Sequence, residues 1–299
     1  MITNLDQIVE RVKGTPNKRL AVAVAEDPHT IEAVGRAVKE NLVHATLTGD
    51  EKAIKKVAAE AKVDVKLFEI LHEPDKGKAL ALAIGLVREK KADFLMKGLL
   101  DSSLYIRGII DKEKGLLPPG KLLSHVTVIQ APAWKKLIVC GDVAVIPAPD
   151  LEAKIAILNY AIGVAHKLEI EKPKAVLLSA VEKVNPKMPS TTESAIIAKM
   201  ADRGQIKGAI VDGPLALDVA FSEESAKIKG LVSPVAGDAD ILVFPSIEAG
   251  NIFFKACTYL AKAELGAVVA GANCPCVLTS RGDSEDTKFY SIALASLLS

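Results

Sequence analysis

The chain has 299 residues, enough for two domains of ordinary size, and its 49% hydrophobic and 25% charged residues are typical of a folded globular protein. A formal net charge of +1 excludes a large nucleic-acid-binding surface, which needs a basic stripe. Because only 4% of the residues are aromatic, we expect a core of Val, Ile, Leu and Ala, which suits buried parallel strands covered by helices.

The first third of the chain alternates strand and helix patterns. Short apolar runs are separated by longer stretches with helical periodicity, and Asp27-Pro28 has the pattern of a helix cap followed by proline at the first helical position. Strands are predicted at 20–25, 45–48, 65–69 and 92–96, and helices at 29–39, 51–61 and 76–90. Strands joined by helices of this length indicate parallel pairing through right-handed crossovers.

The rest of the chain continues this alternation with longer pieces. Asp150 is predicted to cap a helix with an apolar stripe, and Ser190 to Glu193 form a capping-box pattern before a helix that stops near Gly204. Further strands are predicted at 126–130, 143–147, 175–179, 209–212, 241–244 and 277–279, and helices at 249–265 and 285–298. The order predicts an α/β protein with parallel-rich sheets flanked by helices.

Glycine and proline are scattered at turns, so no flexible linker separates the predicted domains. We expect a discontinuous first α/β domain at 1–124 plus 273–299 and a second α/β domain at 125–272, with chain crossings near 118–120 and Gly271. Ligands of open α/β sheets bind where strand ends converge. A cleft between the two domains is therefore the expected ligand site.

Three segments share a design in which an apolar strand ends and small, polar and basic residues precede a helix, which presents backbone N–H groups to an anion. In the first, Lys97-Gly98 leads to Ser102 or Ser103, expected to cap a helix that carries Arg107 in its first turn. A lysine and an arginine near one helix N-terminus favour a phosphate site. The pattern also fits an ordinary strand, turn and helix with two surface cations.

The second segment runs from the strand at 241–244 to Gly250 and Asn251, which open a helix where a bulky side chain would obstruct a ligand. A helix capped by serine, with a loose first turn, explains the same residues. The third segment, 277–286, supplies Ser280, Arg281 and Gly282, so that a guanidinium can fork onto phosphate oxygens beside an accessible backbone. Its carboxylates can accept a proton or simply cap the helix.

Several other classes of protein lack their signatures in this chain. No phosphate loop of the Gly-x-x-x-x-Gly-Lys-Ser/Thr type and no Gly-x-Ser-x-Gly nucleophile elbow occur, and the five histidines show no metal-binding spacing. The four cysteines form no standard zinc or redox motif, and the N-terminus has no secretory signal pattern. No apolar run approaches about 18 residues. We expect a cytoplasmic protein with reduced thiols and no membrane or nucleic-acid partner.

Taken together, these segments resemble the phosphate acetyltransferase and phosphate butyryltransferase family. Their order and spacing agree with the family over nearly the whole chain, and the chain length and the form Met96-Lys97-Gly98-Leu99 are more similar to the butyryl enzymes. The matching pieces are Met96-Lys97-Gly98 with Arg107, Gly141-Asp142-Val143-Ala144 running to Pro147-Ala148-Pro149-Asp150, Phe244-Pro245 through Ala249-Gly250-Asn251, and Leu278-Thr279-Ser280-Arg281-Gly282.

The resemblance implies a two-domain fold like that of the isocitrate and isopropylmalate dehydrogenases, with an interdomain active site. It also implies the reversible reaction of acyl-CoA with phosphate to give acyl phosphate and CoA, no metal or tightly bound cofactor, and assembly into a homodimer or a higher homo-oligomer. In the family, the serine and arginine matching Ser280 and Arg281 belong to the active site, as does the arginine matching Arg107. An aspartate shortly after this pair acts as base toward the CoA thiol.

The chain departs from the acetyl enzymes at two positions. An ungapped alignment places their aspartate opposite Thr287, one residue beyond Asp286, so the base assignment differs. A further arginine of those enzymes is replaced here by Tyr259 or a near neighbour, so contacts with acyl or phosphate groups are expected to differ as well.

The leading hypothesis is direct acyl transfer in a ternary complex of enzyme, acyl donor and acceptor. Asp286 takes the thiol proton, Arg281 and Arg107 hold phosphate oxygens, and Ser280 donates a hydrogen bond to the carbonyl oxygen. Lys97, Gly250, Asn251 and Gly282 are expected to bind substrate or phosphate. Three alternatives remain: an acetyl-CoA enzyme, a metal- and NAD-dependent dehydrogenase of the same fold, and a non-catalytic CoA-binding module.

Overall fold

The computed structural model describes residues 1–280 and 282–299. The chain forms two compact units: unit A comprises Leu5–Leu123 and Leu265–Ser299, and unit B comprises Met1–Asn4 and Ser124–Glu264. The C-terminal segment thus returns to unit A at Leu265, earlier than the crossing expected near Gly271. The cleft expected between two domains stays a prediction.

The strands and helices are numbered in chain order. The strands are β1 Lys18–Ala23, β2 Val43–Gly49, β3 Glu69–His72, β4 Phe94–Lys97, β5 Ser124–Gln130, β6 Ile138–Gly141, β7 Lys174–Leu178, β8 Ile210–Leu215, β9 Ile241–Val243, β10 Glu264–Ala270 and β11 Cys276–Val277. The helices are α1 Leu5–Lys13, α2 Pro28–Lys39, α3 Glu51–Glu60, α4 Lys76–Arg88, α5 Ser102–Ile110, α6 Leu151–Lys167, α7 Pro189–Asp202, α8 Leu217–Phe221, α9 Glu223–Ile228, α10 Ile247–Tyr259 and α11 Glu285–Leu298.

Unit A contains strands in the order β3-β2-β1-β4-β11-β10. All neighbours in this order are parallel except β10 and β11. The last four residues of β1 and all of β4 are buried, as expected for central parallel strands covered by helices. Because parallel strands share one carboxyl edge, the residues that follow β1, β4 and β11 emerge together.

Unit B contains strands in the order β5-β6-β9-β7-β8, in which β5 and β6 are antiparallel and the remaining pairs are parallel. The helix α6 packs on β5, β6 and β9, and α7 packs on β7 and β8. The predicted α/β class with parallel-rich sheets and flanking helices is confirmed.

Two of the predicted helix caps, Asp27 and Asp150, are confirmed. The Asp27 carboxylate accepts a hydrogen bond from the Thr30 backbone N–H at 2.8 Å, and Pro28 is the first residue of α2. The Asp150 carboxylate accepts one from the Ala153 N–H at 2.8 Å. Ser190 was different: α7 begins earlier, at Pro189, so the capping-box residues lie inside its first turn.

Three predicted elements were wrong. Residues 65–69 were predicted as a strand, but Val65–Leu67 is a 3-10 turn capped by Asp64, and the strand follows it. Residues 143–147 form bends, because the strand lies just upstream in β6. The helix predicted at 249–265 ends at Tyr259, residues 260–263 form a turn, and Leu265 already belongs to the buried strand β10. A short apolar run is compatible with both the two-residue period of a strand and the 3.6-residue period of a helix.

In the part of the chain that the structure describes, no helix combines the length and the apolar character needed to cross a membrane.

Candidate active site

The carboxyl edge of the unit A strands brings together two of the three segments singled out in the sequence. Strand β4 ends at Lys97 and its neighbour β11 ends at Val277, with Met96 paired to Val277. Lys97 and the residues leading to Ser280 therefore leave adjacent strands at the same edge. The topology explains why positions far apart in the sequence share one place in the fold.

Lys97 is only 3% exposed, and its Nζ donates hydrogen bonds to the carbonyl oxygens of Gly98 and Leu100, both at 3.2 Å. Gly98 is required by close packing, since a Cβ there would lie 2.1 Å from the Val24 carbonyl oxygen. Its N–H donates to Ala23 at 2.8 Å. The lysine charge is thus held against a turn that only glycine can make.

Ser280 is held by two charged side chains. Its backbone N–H donates to the Asp283 carboxylate at 2.6 Å, and its carbonyl oxygen accepts a hydrogen bond from Lys288 Nζ at 3.1 Å. Lys288 also donates to Thr279 Oγ1 at 3.2 Å. The serine backbone is therefore fixed on both sides by contacts from α11 and the residues before it, while Ser284 caps that helix.

Lys288 is a site residue that the sequence analysis missed. The side chain is 3% exposed, and burial lowers its pKa, opposed by the nearby charges of Asp27 and Asp283. One signal was available: a lysine in the first turn of a helix opposes the helix dipole, which favours acidic residues there. A buried cation at that position indicates a local electrostatic role.

Asp286, the predicted base, lies in an ion-pair cluster with Arg36. The Arg36 Nη1 donates to the Asp286 carboxylate at 2.8 Å and also contacts Glu285, while Nε donates to Glu40 at 3.0 Å. The guanidinium carbon lies 3.8 Å from the centre of the Phe289 ring. Burial lowers the pKa of Arg36, but hydrogen bonds to Glu40 and Asp286 outweigh it, so the net shift is upward.

Arg107 was predicted in the first turn of its helix. This is wrong, because Arg107 lies in the last turn of α5. The helix begins at Ser102, and neither Ser102 nor Ser103 is its N-cap; that residue is Asp101, without a capping side-chain hydrogen bond. The exposed Arg107 side chain nevertheless folds back, because helical side chains lean toward the N-terminus, and its Nε donates to the Ser103 carbonyl at 3.2 Å.

Arg281 lies outside the described residues. Beside it, Gly282 is exposed, and a Cβ at this position would meet nothing within 4 Å. Packing in the protein therefore does not require glycine here, in contrast to Gly98. A bare backbone at Gly282 leaves room for a group from outside the chain.

In unit B, the carboxylate of Asp142 organises the end of β6. The side chain is 3% exposed and accepts hydrogen bonds from the backbone N–H groups of His125, Ala144 and Val145, at 2.9, 2.7 and 2.9 Å. A carboxylate with three backbone donors fixes the loop that follows the strand. This explains the Gly141-Asp142 motif as a structural device.

The start of α10 packs directly on this loop. Asn251 Nδ2 donates to the Val143 carbonyl at 3.0 Å, and a Cβ on Gly250 would lie 2.4 Å from the Asp142 carbonyl oxygen. Gly250 and Asn251 were predicted as ligand-binding residues. In the structure they hold the start of α10 against the loop after β6, through close packing and a hydrogen bond. Tyr259 is the last residue of α10, roughly 18 Å along the axis from Ile247 and 71% exposed.

A hollow of about 270 Å³ opens beside this helix start, and we call it the apolar hollow. It lies where β7 and β9 end, and its walls include the Phe244 and Phe253 rings, whose centres are 5.4 Å apart. The apolar hollow is lined by Leu178, Ser179, Ala180, Leu217, Phe244, Pro245, Ala249 and Phe253.

The cysteines are all free thiols. Cys140 is fully buried in β6, and burial raises the pKa of its thiol well above the ordinary value. A buried thiol of this kind is a poor nucleophile. Among the described residues, no group of three or more His, Cys, Asp or Glu side chains is arranged to hold a metal ion.

Comparison with known proteins gives a family match over most of the chain. A family model described as phosphate acetyl/butaryl transferase matches residues 3–79 and 66–296. The chain is 46% identical over 298 residues to a phosphate butyryltransferase of Clostridium acetobutylicum, covering 100% of this chain and 99% of that protein. It is 44% identical over 293 residues to a phosphate acetyltransferase of Thermotoga maritima, covering 98% of this chain and 99% of that protein.

Solved structures agree with the fold. A branched-chain phosphotransacylase from Enterococcus faecalis V583 superposes with a TM-score of 0.82 at 32% identity, covering 94% of this chain and 98% of that one. A 4-hydroxythreonine-4-phosphate dehydrogenase from Klebsiella pneumoniae has a TM-score of 0.54 at 14% identity, covering 94% of this chain and 99% of that one, so it shares the fold alone.

Proposed function

The chain belongs to the phosphate acetyl/butaryl transferase family, and we propose that it catalyses the reversible reaction of acyl-CoA with phosphate to give acyl phosphate and CoA. The observation that carries this proposal is similarity to phosphate butyryltransferases and phosphate acetyltransferases along essentially the full length of the chain. The strand-end residues around Ser280 support it, because a hydroxyl and cationic side chains leave adjacent strands there.

In the direction of acyl-CoA synthesis, the thiol sulfur of CoA attacks the carbonyl carbon of the acyl phosphate. The Asp286 carboxylate accepts the thiol proton as the carbon–sulfur bond forms. The bond between the carbonyl carbon and the phosphate oxygen then breaks, and phosphate leaves with the bonding electron pair. Ser280 donates a hydrogen bond to the carbonyl oxygen while negative charge develops on it. No electron donor or acceptor is needed.

Phosphate is proposed to bind to cationic side chains and to the accessible backbone at Gly282. Arg281 and Arg107 are proposed to bind its oxygens in forked geometry, and Lys97 adds a positive charge at the end of β4. Gly282 supports this assignment, because its backbone is open to an incoming group. Gly250 and Asn251 are proposed to act by holding the α10 start in place, so that its N–H groups face the substrate.

Butanoyl-CoA is the proposed acyl donor, in line with the names of the Clostridium acetobutylicum and Clostridium beijerinckii relatives. Acetyl-CoA is the alternative, because the Thermotoga maritima relative is named an acetyltransferase at nearly equal identity. We further propose that CoA and phosphate act as substrates without a tightly bound cofactor, and that the enzyme is a homo-oligomer.

The test is a spectrophotometric assay of CoA release from acetyl-, butanoyl- and hexanoyl-CoA in buffer containing EDTA, with and without phosphate. We expect phosphate-dependent release that is fastest with butanoyl-CoA, with acyl phosphate detected as its hydroxamate in equal amount. CoA release at the same rate with and without phosphate would indicate a thioesterase. Reduction of NAD, or loss of activity in EDTA, would favour a dehydrogenase of the same fold. Binding of CoA without acyl phosphate formation would favour a non-catalytic module.

A further inference from the structure

The apolar hollow in unit B lies beside the residues that join α10 to the loop after β6. Ala249 lines it and is followed directly by Gly250 and Asn251, which lock that helix start in place. Phe253 of the same helix also lines it, and the rest of the lining comes from the carboxyl ends of β7 and β9 and from the start of α8. Ligands of open α/β sheets bind at this edge.

The walls of the hollow suit a hydrocarbon group. Phe244 is buried, Phe253 is half-buried against it, and Leu217 at the start of α8 is 40% exposed. The one hydroxyl in the lining, on Ser179, is 2.8 Å from the hydroxyl of Ser190 and is therefore already paired. An apolar occupant covers Leu217 and the phenyl rings without leaving a polar group unsatisfied.

The volume is sufficient for a short acyl chain. A cavity of roughly 150 Å³ lined by apolar side chains is enough to bind benzene, so about 270 Å³ has room for an acyl chain of four to six carbons. A long fatty acyl chain would not fit. A partner protein would need a larger apolar surface than this hollow offers.

We propose that the apolar hollow receives the acyl chain of the thioester and that its walls decide which chain length is used. This inference rests on the proposed function, in which an acyl-CoA is the substrate. The names of the relatives specify different acyl groups: butyryl, acetyl and branched-chain.

The experiment measures kcat/KM for acetyl-, propanoyl-, butanoyl- and hexanoyl-CoA at saturating phosphate, in the wild type and three variants. Ala249→Leu fills the hollow, whereas Leu217→Ala and Phe253→Ala enlarge it. One methylene in an apolar pocket changes discrimination by about 10- to 200-fold. We expect Ala249→Leu to lower the butanoyl-to-acetyl ratio at least about 10-fold, and the other two to raise the hexanoyl-to-butanoyl ratio by about 10-fold.

The matched control is Lys255→Ala, an exposed position on the same helix outside the lining. It should keep the wild-type chain-length profile. Profiles that stay within about twofold of the wild type in all three hollow variants would overturn the inference while leaving the proposed function intact. A wild type that makes no acyl phosphate from any thioester would instead overturn the proposed function.

A second measurement does not depend on turnover. In Leu217→Cys, the new thiol at the half-open mouth is alkylated with N-ethylmaleimide, and the labelled site is followed by mass spectrometry. We expect butanoyl-CoA to slow labelling at position 217 by at least about threefold more than CoA does, because only the thioester carries a chain into the hollow. Equal rates with the two compounds would contradict the placement.

Discussion

At the scale of single residues, the pairing of Asp286 with Arg36 joins the candidate base to a helix from the start of the chain. The two residues are 250 positions apart, and Glu285 shares the same guanidinium. This cluster holds the first turn of α11 against α2, so a change at Asp286 has two effects: the loss of a base and the loss of an ion pair. The neighbouring glutamate allows these effects to be separated.

We expect Asp286→Asn to lower kcat for CoA-dependent cleavage of acyl phosphate by about 10² to 10⁴, because the amide cannot accept the thiol proton. Glu285→Gln is the matched control: it also removes a carboxylate charge beside Arg36 and should lower kcat less than about threefold, since a partly exposed ion pair contributes little. Steady-state kinetics on both variants measure the difference. Equal, small losses in the two would remove Asp286 from the chemistry.

Lys288 gives a pH-dependent prediction. Because burial lowers its folded-state pKa below the ordinary 10.5, the native lysine loses its proton before the unfolded one does as pH rises. The cost of burying the ammonium is full below the folded pKa and falls between that pKa and about 10.5, with Asp27 and Asp283 offsetting part of it.

The difference in unfolding free energy between the wild type and Lys288→Met should therefore shift in favour of the wild type as pH rises toward about 10.5. Urea denaturation of both proteins from neutral pH to this limit measures it. The exposed Lys39→Met, on α2, is the control and should follow the wild type at each pH. A difference that stays constant across this range would contradict the burial of a charged lysine.

At the scale of elements, the start of α10 and the loop after β6 form one piece of structure. The Asp142 carboxylate accepts hydrogen bonds from two backbone N–H groups of the loop and one of β5, Asn251 donates to the loop backbone, and Gly250 allows the helix to approach the loop. The order and identity of these residues were evident from the sequence as a family pattern. Their mutual contact was not, because 108 positions separate Asn251 from Val143.

Gly250→Ala is expected to push α10 away from the loop, because its new Cβ would come within 2.4 Å of the Asp142 carbonyl oxygen. We expect a loss of stability of about 1 to 3 kcal/mol and a loss of kcat/KM of at least about 10-fold. Gly163→Ala, at an exposed position of α6 with no atom near the new Cβ, should instead be stabilising by about 0.5 to 1 kcal/mol. Thermal melts and initial rates of both test this contrast.

At the scale of the whole molecule, α10 and its C-cap residue Leu260 carry an apolar surface that is exposed in the single chain. Ile252, Tyr259 and Leu260 are 69%, 71% and 84% exposed. Residues seven and eight positions apart lie on one face of a helix, so these side chains form a single stripe. In the proposed homo-oligomer, we expect a second copy of the chain to cover this stripe.

We expect Ile252→Asp to convert the oligomer to monomer in multi-angle light scattering, because burying an unpaired carboxylate in an apolar interface is unfavourable. Lys199→Asp changes an exposed charge on a different helix, α7, and it should leave the mass unchanged. A wild-type protein that is monomeric at micromolar concentration would contradict the proposed oligomer.

Sequence alone determined the α/β class, the caps at Asp27 and Asp150, and the strand-end motifs that relate the chain to its family, because periodicity and capping depend on neighbours within a few positions. It erred at 65–69 and 143–147, where short apolar runs form a 3-10 turn and bends instead of strands, and at 249–265, where the helix ends at Tyr259. Tertiary structure alone decided the contacts of Arg36 with Asp286, of Lys288 with Ser280 and of Asn251 with Val143, and the apolar hollow beside α10. A sequence pattern reports which face of an element is buried, whereas the partner on the other side depends on how distant strands and helices pack.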